Sequence, residues 1–181
     1  MTMKNLKDIP MELNRAWAMP NSNTFEIKPI KAFVQKYIKL VGGESIDPFA
    51  RNNEFATVRN DLNPFTSATH HYEALAFLQW VNDMGWKYSL GLFDPPYSSR
   101  QLTECYQNIG KKTTQQDTQG KSWKDWKDAL SEAILPRGYV LSFGWNSVGM
   151  GKKRGFVLVE MLIVCHGGMH NDTICLAERK L

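Results

Sequence analysis

Gly91-Leu92-Phe93-Asp94-Pro95-Pro96-Tyr97-Ser98-Ser99 runs from apolar residues into a carboxylate, two prolines and a tyrosine. A simple turn would need the prolines but not the tyrosine. An acid at the end of a buried strand offers a hydrogen-bond acceptor. Proline fixes φ and so holds the neighbouring backbone still, and the aromatic ring adds a stacking face. Two other strand-like segments also end on acids, "ESIDPFA" at Asp47-Pro48 and "FATVRNDLNP" at Asp61, and "PRGYVLSFGW" runs into Gly144-Trp145-Asn146. A single acid after a strand often forms a turn or caps a helix. Three of them in a chain of this size point to a ligand site, because ligands of open α/β sheets bind at the carboxyl ends of the strands.

The elements that must position these residues alternate between helix and strand patterns, which implies an α/β fold. "IKPIKAFVQKYIKLV" carries apolar residues at Ile27, Ile30, Phe33, Val34, Tyr37, Ile38 and Val41, a helical spacing stopped by Gly42-Gly43. "HYEALAFLQWVNDMG" is an amphipathic helix closed by Gly85, and "WKYSLGLF" is the strand that leads into Asp94. "SWKDWKDALSEAIL" is a helix with Ser122 as its N-cap. "GFVLVEMLIVCHGG" and "DTICLAERK" are two final strands joined by a tight polar segment. Residues 98–122 are polar and read as a mobile substrate loop with one helical turn around Leu102–Tyr106.

With 181 residues, 43% hydrophobic and 22% charged, the chain fits a single globular domain over 1–181. No apolar run reaches the roughly 20 residues that span a bilayer, and "MTMKNLKDIPMELNR" has no apolar signal core. Three cysteines, Cys105, Cys165 and Cys175, do not suggest a disulfide framework, so a reducing cytoplasm is expected. The net charge of +4 suits a polyanionic partner only weakly. Lys111, Lys112, Lys121, Lys124 and Lys127 form one basic cluster and Lys152, Lys153 and Arg154 a second; each taken alone reads as a solvated surface.

Asp94-Pro95-Pro96-Tyr97 at the end of an apolar strand resembles the catalytic signature of the amino-methyltransferases. These S-adenosylmethionine (SAM)-dependent enzymes methylate exocyclic amines, chiefly adenine N6 in DNA. "SIDPFAR" resembles their first cofactor motif, "ATVRNDLNP" the second and "YEALAFL" the third, while "TFEIKPIKAFVQKYI" resembles the segment preceding the first. The resemblance covers roughly residues 20 to 178. It implies a Rossmann-like methyltransferase domain, a mostly parallel sheet with an antiparallel last strand, and SAM as cofactor.

An exocyclic amine is a poor nucleophile because its lone pair is delocalised into the ring. In the resemblance the Asp94 carboxylate and the Pro95 carbonyl accept its two hydrogens and favour the charge that builds on nitrogen. Pro95 and Pro96 keep that carbonyl aimed, and Tyr97 stacks on a base that has left the duplex. Asp47, Pro48 and Phe49 would sit beside the methionine end of SAM, with Phe25 and Lys28 lining the same pocket. Asp61 would accept the ribose hydroxyls and Glu73 the adenine amine. Glu73 reads equally as a first-turn acid favoured by the helix dipole, and Phe25 and Lys28 equally as a helix entry. Trp145 and Asn146 would face the target, with Lys152, Lys153 and Arg154 on phosphate.

Where the family has a glycine-containing turn after Asp47-Pro48-Phe49, this chain has Ala50-Arg51-Asn52-Asn53, with Asn able to take the left-handed conformation. There is no room for a separate target-recognition region, which implies a short or weakly specific site on double-stranded DNA and resembles phage-encoded enzymes of prokaryotic cytoplasm. Methylation of cytosine N4, an RNA base or a protein amide is the alternative activity. A non-catalytic relative that binds nucleic acid or a partner is the alternative class.

Cys165, His166, His170 and Cys175 match no common zinc spacing, and adjacent strand residues point to opposite faces, so no metal is expected. Their segment reads as the connection between the last two strands, with His170, Asn171 and Asp172 near substrate or forming the turn. His70-His71 read as surface. Gly149-Met150-Gly151-Lys152-Lys153 lacks the spacing of a P-loop. Trp123 and Trp126, three apart on a helix, read as core.

Overall fold

Six parallel strands and one antiparallel strand form a seven-stranded sheet in a computed structural model that describes residues 10–107, 109–110 and 121–181. In chain order the elements are β1 Glu12–Trp17, α1 Lys28–Val41, β2 Ser45–Asp47, β3 Val58–Arg59, α2 Ala74–Asp83, β4 Tyr88–Phe93, α3 Ser99–Gln107, α4 Lys121–Ala133, β5 Ile134–Gly144, β6 Phe156–Cys165 and β7 Thr173–Lys180. The spatial order is β1-β6-β7-β5-β4-β2-β3, and only β7 runs against its neighbours. The fold is the expected α/β sheet with an antiparallel last strand.

Helices cover both faces, as a mainly parallel sheet requires. α1 buries Ile30, Phe33, Val34 and Tyr37, the i, i+3, i+4, i+7 stripe, against Leu90 and Leu92 of β4 and Leu141 and Phe143 of β5. Gly42, at φ 62°, ends it with an amide bonded to the Ile38 carbonyl. On the opposite face, α2 (Ala74, Phe77, Leu78, Val81) and α4 (Trp126, Ala129, Leu130, Ala133) pack on Ile46, Phe93 and Val140. Gly91 faces this second layer, where an added Cβ would lie 3.1 Å from Ile134.

Three features differ from the sequence reading. β1, an edge strand parallel to β6, was not anticipated, because its burial is slight and its pattern weak. The stretch expected as a mobile loop is helical over Ser99–Gln107, buries Leu102 and starts with the Ser98 hydroxyl accepting from the Gln101 amide at 3.2 Å; residues 111–120 of it, with Lys111 and Lys112, lie outside the described residues. α4 begins at Lys121, so Ser122 falls inside the helix rather than at its cap.

Candidate active site

The carboxyl ends of β2, β3, β4, β5 and β6 and the start of antiparallel β7 share one edge of the sheet. A cavity of about 470 Å³ opens there, and its walls include Pro48, Phe49, Asp61, Glu73, Asp94, Pro95, Pro96, Tyr97 and Trp145. Parallel pairing of Phe93 with Ser142 brings the Asp94 segment level with Gly144-Trp145. The convergence of strand-end acids expected from sequence therefore holds for Asp61 and Asp94.

Asp94 lies at the end of β4. Burial pushes its carboxyl up, and hydrogen bonds from Tyr97 and Thr24 and the charge of Arg51 oppose that shift. Tyr97 is held by its hydroxyl, which donates to Asp94 Oδ1 at 2.5 Å and lies 3.3 Å from Thr24 Oγ1. Its amide donates to Gln101 Oε1 at 2.7 Å, and its ring meets Trp145 edge-on at 5.5 Å. Tyr97 is thereby fixed from α3 by Gln101, from the residue after β5 by Trp145 and from Thr24.

Asp47 is fully buried and does not line the cavity. Its Oδ1 accepts from the Phe49 amide at 2.9 Å and its Oδ2 from Asn53 Nδ2 at 3.1 Å, so it ties down the loop after β2. Burial is the main reason its pKa is pushed up to about 7. Pro48 and Phe49 do line the cavity, and Phe49 packs edge-on against Phe93 and Trp126. The left-handed residue of this loop is Arg51, at φ 51°, rather than an asparagine. Its amide donates to Asp61 Oδ2 at 3.0 Å and its Nη1 to the Ser22 carbonyl at 2.6 Å.

Asp61 stands at the cavity rim, and its Oδ1 accepts from the Asn63 amide at 2.8 Å. Glu73 is the N-cap of α2: one oxygen, Oε2, accepts from the Leu75 and Ala76 amides, at 2.7 and 3.4 Å. The helix-dipole reading of Glu73 is thus realised while the residue still faces the cavity. Phe25 and Lys28 are corrected. Phe25 is core, edge-on to Phe55 and Phe143, and Lys28 is exposed at the first turn of α1. The cavity takes Thr24 and Ile27 instead, each one position earlier in the same segment.

Trp145 lines the cavity, and Asn146 lines a neighbouring one while its Oδ1 accepts from the Val148 amide. Lys152, Lys153 and Arg154 line neither. Arg154 is committed to structure, donating to Asp128 Oδ1 at 2.6 Å and to the carbonyls of Met150 and Lys124. The glycine-rich turn before it is filled by a side chain of the protein: Glu178 accepts from the Met150 and Gly151 amides, at 2.5 and 2.9 Å.

Asn60 on the cavity wall was not singled out from sequence, and His166 was weighed there only as a metal ligand. Asn60 is buried and saturated, donating to the Pro48 and Tyr72 carbonyls and accepting from the Tyr72 amide, which clamps the β2 loop to the start of α2. His166 is held between the Ala18 carbonyl (Nδ1, 2.8 Å) and Thr173 Oγ1 (Nε2, 2.9 Å). A carbonyl only accepts, so Nδ1 carries a proton and donates it to Ala18. His170 and Asn171 also line the cavity, whereas Asp172 forms the turn by accepting from the His166 amide. Among the described residues, no three His, Cys, Asp or Glu side chains gather as a metal site.

No protein-family model matches the chain, and no curated protein matches it. Solved structures do. SMU.776 complexed with SAH is similar at 9% identity and a TM-score of 0.57, over 82% of this chain and 48% of that one. The N-methyltransferase NodS from Bradyrhizobium japonicum WM9 is similar at 10% identity and a TM-score of 0.56, over 89% and 99%. TrmN from Thermus thermophilus is similar at 15% identity and a TM-score of 0.51, over 86% and 49%. The chain spans about half the length of SMU.776 and TrmN and nearly all of NodS. At such identities the likeness is one of fold, and the fold is the Rossmann-like one of methyltransferases.

Proposed function

We propose that this protein methylates an exocyclic amine, adenine N6 in DNA, using SAM. The observation that carries the reading is the position of Asp94 and Pro95: they end β4 on the wall of the cavity that also receives Asp61 and Glu73. Polar groups of the right kind surround a SAM-sized space. Asp61, with acceptor capacity beyond its two backbone bonds, would take the ribose hydroxyls, and Glu73 Oε1 would take the adenine amine. Phe49 and Pro48 supply apolar wall, and Arg51 would pair with the methionine carboxylate. When bound, SAM supplies an electrophilic methyl group.

The protein's own contribution is at the amine. Asp94 and the Pro95 carbonyl would accept its two hydrogens, which favours a tetrahedral nitrogen and the positive charge that develops there. The nitrogen forms its bond to the methyl carbon as the sulfur–carbon bond breaks, and the surplus amine proton passes to the Asp94 carboxylate, whose proton affinity burial raises. Asp94 keeps acceptor capacity beyond the Tyr97 bond, so it would receive the amine while Tyr97 holds the carboxylate in place. The target would be a base flipped from double-stranded DNA. Lys152 and Lys153, both exposed, would contact phosphate without reading sequence. A short or weak sequence preference follows. Among the described residues no helix is long and apolar enough to cross a membrane, and we place the reaction in the cytoplasm of a prokaryotic or phage-infected cell.

Titration calorimetry with SAM is the test. Saturable one-site binding, abolished in Asp61→Ala, is expected. Absence of binding at about 1 mM SAM, where even a weak site of roughly −4 kcal/mol fills halfway, would sink the reading.

A further inference from the structure

Beside the first cavity lies a second, of about 450 Å³, which shares Pro95, Tyr97 and Trp145 with it. Phe93, Trp123 and Trp145 give it flat aromatic walls. Two polar side chains from the secondary-structure frame reach it. Ser142 of β5 stands next to Phe93 in the parallel register, is 5% exposed, and has an Oγ that is buried with no hydrogen-bond partner. Lys127 of α4, read from sequence as part of a solvated basic cluster, is 8% exposed. Its Nζ donates to the Val148 carbonyl at 2.6 Å and lies 5.7 Å from the centre of the Phe93 ring.

Neither group is explained by the fold. A buried hydroxyl without a partner is destabilising, because it has lost its bonds to water and gained none in the protein. An ammonium has three donors; Lys127 uses one on Val148, and among the described residues no carboxylate pairs with it. Burial accordingly pulls its pKa down. Both groups are suited to a ligand that is flat enough for the aromatic walls and has lone pairs at its edge. A single ammonium and a hydroxyl are too little charge for a phosphate.

Resting on the methyltransferase reading above, we propose that the second cavity is the acceptor subsite, where Lys127 and Ser142 select a flat heteroaromatic amine bearing hydrogen-bond acceptors in its ring plane. Pro95 lies on the wall of both cavities and Asp94 on that of the first, so the amine of a ring held by Lys127 and Ser142 would have to project past Pro95 into the first cavity to meet Asp94 and the methyl donor. A protein amide offers one carbonyl and no ring, and leaves the aromatic walls and one of the two polar groups unused.

The test combines kinetics with a binding measurement that needs no turnover. Methyl transfer to an adenine-containing duplex oligodeoxynucleotide is compared in the wild type, Ser142→Ala and Lys127→Met, with SAH affinity measured in each. In parallel, adenosine is titrated into SAH-saturated protein while the indole N–H signals are followed by NMR. Trp123 lines only the second cavity and Trp126 only the first, so their signals tell the two apart. We expect adenosine to shift Trp123, each substitution to weaken that binding and lower kcat/KM for the oligonucleotide about tenfold, and SAH affinity to stay unchanged. Wild-type transfer and wild-type adenosine affinity in both variants would overturn the subsite. So would a loss matched by equal loss of SAH affinity, or a glutamine peptide shifting Trp123 as strongly as adenosine. Ser142→Ala removes only an unpartnered hydroxyl and decides alone should Lys127→Met not fold. If the wild type transfers no methyl group yet adenosine shifts Trp123, the subsite stands and the activity reading falls; if it transfers methyl and neither variant matters, the reverse holds.

Discussion

The Tyr97 hydroxyl donates to Oδ1 of Asp94 at 2.5 Å, so the carboxylate at the end of β4 is engaged by the fourth residue of its own motif. A stacking ring and an acceptor, read from sequence as two separate tools, are here joined into one. The bond also stabilises the ionised form of Asp94 against the cost of burial.

Replacing Tyr97 by Phe removes that bond and keeps the ring. Burial already raises the Asp94 pKa, and the Tyr97 bond opposes the rise, so its loss raises the pKa further. Activity that needs the carboxylate ionised is lost as pH falls through this pKa. The acid limb of the kcat/KM profile should therefore move to higher pH in Tyr97→Phe. An unmoved limb would show that the bond has no bearing on Asp94.

Asp47 supplies a second pH dependence, in stability. Its pKa is about 7 in the folded protein, against an ordinary carboxylate value near 4 in the unfolded chain. Between those values the folded protein holds a proton that the unfolded chain has released, so the contribution of Asp47 to stability declines as pH rises across this window. Urea melts of the wild type at pH 5 and pH 8 should differ through this group on the order of 2 kcal/mol. Asp47→Asn should remove most of that difference, and an identical pH slope in the variant would contradict the assignment.

Gly149 sits against the buried Glu178 carboxylate, where an added Cβ would come 2.0 Å from Oε2. Gly149→Ala must displace a carboxylate that holds the Met150 and Gly151 amides. A loss of about 2–3 kcal/mol is expected in denaturant unfolding. Wild-type stability would mean that this turn moves at little cost.

Arg51 occupies the turn in which the resembled family has a glycine, and it does so at φ 51°. Glycine fits that conformation without strain, so Arg51→Gly should unfold within about 1 kcal/mol of the wild type. If its guanidinium pairs with the methionine carboxylate, the Kd for SAM should rise about tenfold. An unchanged Kd in a folded Arg51→Gly would remove Arg51 from the cofactor site.

Much of this arrangement was legible in the residues. The α1 stripe, the apolar run of β4 and the two long final strands announce themselves by period and by glycine punctuation, and the strand-end acids marked the correct edge of the sheet. What stayed hidden depends on contacts distant in sequence. β3 is only two residues long, and its place is fixed by pairing with β2, not by its own pattern. Segment 24–28 borders the cavity through Thr24 and Ile27, and which of its side chains turn toward it is set by packing of Phe25 on Phe143, 118 positions away. Lys127 looked like surface because lysine usually is; its burial comes from the 145–148 loop that closes over it, which no local spacing reveals.

The central claim is that Asp94-Pro95 directs methyl transfer to adenine N6. Its most direct test is incubation of the protein with methyl-labelled SAM and duplex DNA, followed by nucleoside analysis, alongside the Asp94→Ala variant. Label in N6-methyladenine, reduced about 100- to 1,000-fold in a folded Asp94→Ala, is the predicted result. Label confined to cytosine, RNA or protein under matched conditions, or transfer to adenine undiminished in Asp94→Ala, would contradict it.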